Sequence, residues 1–139
     1  EAAIAETDDV EKQANCYYYM ASSYLNMRKN QQARTHARKA AALRTNWGKP
    51  YIIIGKAYMN GACGANDWGK PICYMAAVDK FRKAKSIDPS VASQADDLIR
   101  KYSGNYPTIQ AAHSRTKKDG ERVSTGCWIN ETVTLKTKK

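Results

Sequence analysis

The chain has 139 residues, 42% of them hydrophobic, and a formal net charge of +10 from 23 Lys+Arg against 13 Asp+Glu. That apolar content suits one buried core and is too high for a disordered tail. No run approaches the roughly 20 apolar residues that span a bilayer, and four cysteines are too sparse for a disulfide-framed mini-protein.

Residues 1–9 read as a helix end or linker, with no basic segment followed by an apolar one; the sequence opens behind a removed signal peptide or inside a longer protein. A helix is predicted near 11–27, where Tyr17, Met20, Tyr24 and Met27 recur on one face. A second, near 30–44, carries Ala33, Ala37 and Ala40, a thin face that can nest against the first. The third is expected near 47–60 with Asn46 as its N-cap. Residues 61–71 read as a loop, followed by a helix near 72–87. Asp88 and Pro89 then cap and open a helix over 89–102, whose apolar face is Val91, Leu98 and Ile99. Residues 103–120 read as irregular. Val123–Ile129 and Thr132–Lys136, rich in β-branched residues, predict a β-hairpin. Strand alternation puts Val123, Thr125, Cys127 and Ile129 on one face and Trp128 on the other. Two strands alone are marginal, so the hairpin is expected to pack on the 89–102 helix; the alternative is an exposed Trp128 that anchors a partner.

From Lys12 to Asn66 there are nine basic residues and no acid. This block either draws an acidic partner or is a solvated face whose counter-charge lies elsewhere. His36, inside it, is expected to be exposed or half-packed.

Tyr17-x2-Met20-Ala21-x2-Tyr24 returns 34 residues later as Tyr51-x2-Ile54-Gly55-x2-Tyr58. Ala33-x3-Ala37-x2-Ala40 returns 44 residues later as Ala77-x3-Phe81-x2-Ala84, so the second unit is the first plus ten inserted residues. Ala21 and Gly55 leave room where the paired helix crosses. This pattern resembles the tetratricopeptide (TPR) repeat. The resemblance implies an all-α, TPR-type antiparallel helix-pair solenoid over 1–103, with two repeats, a capping helix and an insertion at 61–71. An irregular tail and β-hairpin over 104–139 would pack on its end. Three stretches are further similar to one bacterial TPR family: Asn46 to Gly55, Ala77 to Ser90, and Gly126-Cys127-Trp128-Ile129-Asn130-Glu131-Thr132. That family occurs in the cell envelope of Gram-negative anaerobes and ends in such a tail; Ala111–Lys118 departs from its pattern. The likeness implies secretion to the periplasm or the outer membrane, further repeats upstream and protein interaction, with no enzymatic activity.

An oxidising envelope permits disulfides. Helix direction puts Cys63, Cys73 and Cys127 at one end of the bundle and leaves Cys16 roughly 20 Å away, as a buried free thiol. Direction alone leaves Cys127 free to pair with Cys63 or Cys73. The family resemblance implies Cys63–Cys127; Cys63–Cys73 is the local alternative, and four free thiols the remaining one.

The sequence lacks Cys-x2-Cys, His-x3-His, a phosphate loop and any nucleophile constellation, so neither a metal, a cofactor nor a small-molecule substrate is expected. In stacked TPR units the first helices line the concave side. The positions away from the tyrosine core are Asn15, Tyr18, Ser22 and Asn26 in the first repeat, and Lys49, Ile52, Lys56 and Asn60 in the second. These eight are the predicted contacts for a protein or peptide of acidic character, with Lys49 and Lys56 pairing its carboxylates. Nucleic acid is the alternative ligand, since the charge and nine tyrosines supply phosphate contact and stacking. Against it, Tyr17, Tyr24, Tyr51 and Tyr58 are assigned to the repeat core.

Overall fold

A computed structural model describes residues 9–138; residues 1–8, most of the predicted linker, lie outside the described residues. Helix α1 (Val10–Asn26) starts at Asp9, whose carboxylate accepts from the Glu11 and Lys12 amides at 2.9 and 3.2 Å. A three-residue connection turns the chain back into α2 (Asn30–Leu43). Helices α3 (Lys49–Asn60) and α4 (Gly69–Ile87) form the next pair, and α5 (Ala92–Tyr102) follows a single 3₁₀ turn at Pro89–Val91. Each helix packs on the next in sequence, and α1 also touches α3, which gives a helical, solenoid-like stack. A short α6 (Ile109–His113) and an antiparallel pair, β1 (Arg122–Ser124) and β2 (Thr132–Thr134), complete the chain.

Small residues set the helix spacing. Ala21, Ala33, Ala37 and Ala40 are fully buried, so methyl groups line the first seam. At the α3–α4 crossing, a Cβ on Gly55 would lie 2.4 Å from Phe81 Cε1, so the helices meet where only hydrogen fits. Tyr58, Ile54, Ile72, Val78 and Phe81 fill the interior around that point.

Asn46 does not cap α3. It sits at φ +58, in the left-handed region, and the helix starts at Lys49, later than expected. The cap comes from a distant residue: Asp88 accepts the Gly48 amide at 2.8 Å and the Ser90 hydroxyl and amide at 2.6 and 3.0 Å. These donors hold its carboxyl below the usual range, Ser90 first and Gly48 next. Asp88 thus caps the turn after α4, as predicted, and also ties that turn to the start of α3.

Among the described residues, helix α1 has neighbours only on its α2 and α3 side, and this corrects several burial expectations. Met27 is exposed, Tyr17, Met20 and Tyr24 are half-buried, and Cys16 is a free thiol that is half-buried instead of buried. His36, expected near the surface, is buried between the rings of Tyr17 and Tyr24, with Nδ1 2.9 Å from the Gln32 carbonyl.

The tail differs most from expectation. The region 103–120 contains α6, capped by the Thr108 hydroxyl, which accepts from the Ala111 amide at 3.1 Å. The strands pair over three residues each, Val123 opposite Val133. Alternation fails beyond Ser124 because Gly126, Cys127 and Asn130 all take positive φ. Residues 125–131 form a loop closed by Thr125 N–H donating to Glu131 O at 2.8 Å and Asn130 N–H to Gly126 O at 2.9 Å. Nor does the hairpin cover α5: β2 packs on α4. Helix α4 is buried nearly all round, through Ile72, Met75, Ala76, Val78 and Phe81, and a helix apolar on every side needs cover on every side. Val123, Ile129, Val133 and Leu135 provide it.

Candidate functional site

Alternate helices α1, α3 and α5 form one side of the stack, and a cleft of about 340 Å³ runs between them. Tyr18, Ser22, Asn26, Lys49, Ile52 and Lys56 line it, six of the eight residues singled out from the sequence. The cleft continues past Leu25, Asn26 and Lys56 into a second of about 450 Å³, where Asn60 joins Arg28, Met59, Leu98 and Tyr102. Asn15 is half-buried on α1 and lines neither. Ile52 is 4% exposed, so it forms a floor and not an arm. Sequence reasoning missed the third wall, Gln94, Leu98 and Tyr102 of α5, because that helix was assigned only a capping role.

Among the described residues no carboxylate lines either part. Among the described residues Lys49, Lys56 and Arg28 form no ion pair; Arg28 only donates to the Asn60 carbonyl at 3.4 Å. The cleft therefore offers three cations, amides and hydroxyls above an apolar floor, a composition suited to a carboxylate-bearing segment.

The opposite side of the stack is closed by the tail. Trp128 donates its indole N–H to the Gly61 carbonyl at 2.9 Å and packs edge-on to Tyr58. Arg34 stacks its guanidinium on the Trp128 ring at 4.9 Å and donates to the Ile129 carbonyl at 2.9 Å. Trp128 is thus half-buried and pinned to the fold, as a packing residue and not as an exposed anchor. Glu131 accepts the Tyr58 hydroxyl at 2.6 Å and meets Lys80 at 3.0 Å and Arg38 at 3.8 Å. Part of the basic block thereby receives its counter-charge from Glu131, while among the described residues the cleft cations have none. A disulfide joins Cys63 to Cys127, the pairing the family resemblance implied, and Cys73 lies beside it as a buried free thiol.

Burial alone would raise the Glu131 carboxyl; the Tyr58 hydroxyl, Lys80 and Arg38 outweigh it and hold the group below its usual value. Burial first, then Glu131, pushes the Tyr58 hydroxyl up to about 12. A carboxyl whose folded pKa is depressed contributes stability above its unfolded pKa and loses it as pH falls through the folded one. Glu131→Gln should therefore cost about 2 kcal/mol at pH 7, the worth of hydrogen bonds to a charged group. The gap from wild type should close as pH drops below about 4. Urea unfolding of both chains at pH 7 and pH 3 checks this; a gap that persists at pH 3 would mean that lost packing, not charge, sets the cost.

No family model matches this chain, no curated protein is significantly similar to it, and no solved structure matches it. Among the described residues no helix is long and apolar enough to cross a membrane.

Proposed function

We propose that the chain is a protein-interaction module of TPR type that holds an acidic peptide or protein segment along the α1–α3–α5 cleft, working in a bacterial cell envelope beside further repeats of the same protein. The observation that carries this reading is the cleft itself: seven of the eight residues selected by helix-face arithmetic line one concavity that, among the described residues, has unpaired cations and no acid. The 34-residue recurrence and the small residues at both helix crossings support the TPR assignment. The Cys63–Cys127 disulfide supports an oxidising compartment.

A fluorescein-labelled hexaglutamate peptide, followed by anisotropy at low and moderate salt, tests the reading. Reversing Lys49 and Lys56 to Glu together should weaken binding at least about tenfold, since like-charge contact replaces two attractive ones. Lys83→Glu, on the exposed side of α4 and outside both parts of the cleft, should leave binding unchanged. Equal loss from both changes would reject the cleft. Tighter, more steeply salt-dependent binding to an oligonucleotide would reject the acidic-peptide assignment in favour of nucleic acid.

A further inference from the structure

Three of the four cysteines, two at the insertion and one from the tail, converge on one spot. The sulfurs of Cys63, Cys73 and Cys127 all lie within 4.8 Å of one another. Cys63 follows the end of α3 and Cys73 lies in the first turns of α4, so the two helix ends face each other across the insertion. The insertion is tightly closed: a Cβ on Gly64 would come within 2.8 Å of the Gly69 Cα. That closure brings Cys63 and Cys73 together without help from the tail, and their sulfurs are 3.8 Å apart. A bond between them requires an approach to about 2.05 Å. Cys127, by contrast, is exposed at the surface of the 125–131 loop.

We propose that these three residues form an internal thiol–disulfide exchange site, in which Cys73 takes over Cys63 and releases Cys127 as a surface thiol. Cys73 gives up its proton, and its sulfur forms the Cys63–Cys73 bond as the Cys63–Cys127 bond breaks. The electron pair leaves on Cys127 Sγ, which takes up a proton. One disulfide and one thiol stand on each side, so no oxidant or reductant is consumed. Burial keeps the Cys73 thiol protonated for most of the time, which makes the exchange slow and preserves the tail bridge at rest.

The loop does not depend on the disulfide alone. Trp128 stays bonded to Gly61, Arg34 to Ile129, and Glu131 to Tyr58. Cys127 itself holds φ +47, a backbone region disfavoured for residues with a side chain, and loss of its bond lets it relax. The product is a folded chain with Cys127 as an exposed thiol, in addition to the half-buried Cys16 thiol that is free throughout. Its substrate class is an external disulfide: the Cys127 thiolate attacks one sulfur, a mixed disulfide forms, and the other sulfur departs as a thiolate.

Incubating the oxidised native chain with iodoacetamide, then mapping peptides without reduction, tests the proposal. Alkylated Cys127 should accumulate in step with a Cys63–Cys73 bridged peptide. Cys73→Ser, with helical circular dichroism retained, should slow Cys127 alkylation at least about tenfold because the attacking sulfur is gone. Cys127→Ser guards against misfolding of that variant; mild oxidation should give it a Cys63–Cys73 bridge. Alkylation at Cys73 with Cys63–Cys127 intact would overturn the exchange. So would a Cys127 that stays unlabelled, or Cys63 and Cys73 both remaining free thiols in Cys127→Ser under conditions that bridge the wild type.

Discussion

Removing residues 120–139 should lower the melting temperature by roughly 25 °C, the equivalent of about 6 kcal/mol for a chain of this size. Val123, Ile129, Val133 and Leu135 are each at most 7% exposed. Burying such side chains contributes about 1.5–3 kcal/mol apiece, offset in large part by the cost of ordering the segment that carries them. The disulfide, spanning 64 residues, adds about 4 kcal/mol if loop closure in the unfolded chain sets its effect. Truncation also uncovers α4 and strips Tyr58 of Glu131, so dye binding to exposed apolar surface should rise along with the loss of stability. Melting with reductant present, on the full chain, separates the bridge from the packing: reduction should reproduce only part of the loss. A truncated chain that melts within about 2 °C of the full one would show that the tail is an appendage and that α4 is adequately covered by α3 and α5.

Gly55→Ala offers a test in which two physical effects predict opposite signs. Alanine in place of glycine within a helix stabilises by about 1 kcal/mol through backbone propensity. The new methyl, however, would sit 2.4 Å from Phe81 Cε1, and Phe81 is fully buried with no direction in which to yield. Overpacking of this kind costs about 1–3 kcal/mol, so the crossing should win and the variant should be less stable. Phe81→Ala should cost about 3–5 kcal/mol on its own. With Phe81 removed, Gly55→Ala should turn neutral or mildly stabilising, a coupling read from a double-mutant cycle of chemical unfolding. A destabilisation by Gly55→Ala that persists in the Phe81→Ala background would place the conflict elsewhere in the helix pair.

The helical stack was legible from the sequence because its determinants are local and periodic. Ala33, Ala37 and Ala40 recur on one face, and Gly55 stands where Ala21 does in the first pair; each spacing has a direct geometric meaning at a helix crossing. The cleft was legible for the same reason, since positions opposite a core face are fixed by the helical repeat. What escaped depends on contacts between distant residues. Asn46 looks like a cap, but Asp88 supplies that role from 40 residues away across the fold. The hairpin is shorter than its β-branched composition suggests, because composition says nothing of the positive φ at Cys127 and Asn130. Helix α6 is five residues long, too short for periodicity to announce it. The burial of Met27 was overestimated since a repeat pattern does not reveal which helix stands at the edge of the stack. Cys73 as third member of a sulfur cluster has no spacing signature at all.

The tail's attachments also impose an order on folding. The contacts between successive helices join neighbours in sequence, and such local pairings form quickly. The ties that close the other side are of a different kind: Arg34 to Ile129 spans 95 residues, Tyr58 to Glu131 spans 73 and Trp128 to Gly61 spans 67. None of them can form until the chain has been made through Glu131. During synthesis the helices therefore pair first, with α4 bare and Tyr58 wet, and the segment made after them seals the stack. The same segment is the natural first unit to open in the native state, so amide exchange along β1 and β2 should report a lower opening energy than amides in α3 and α4.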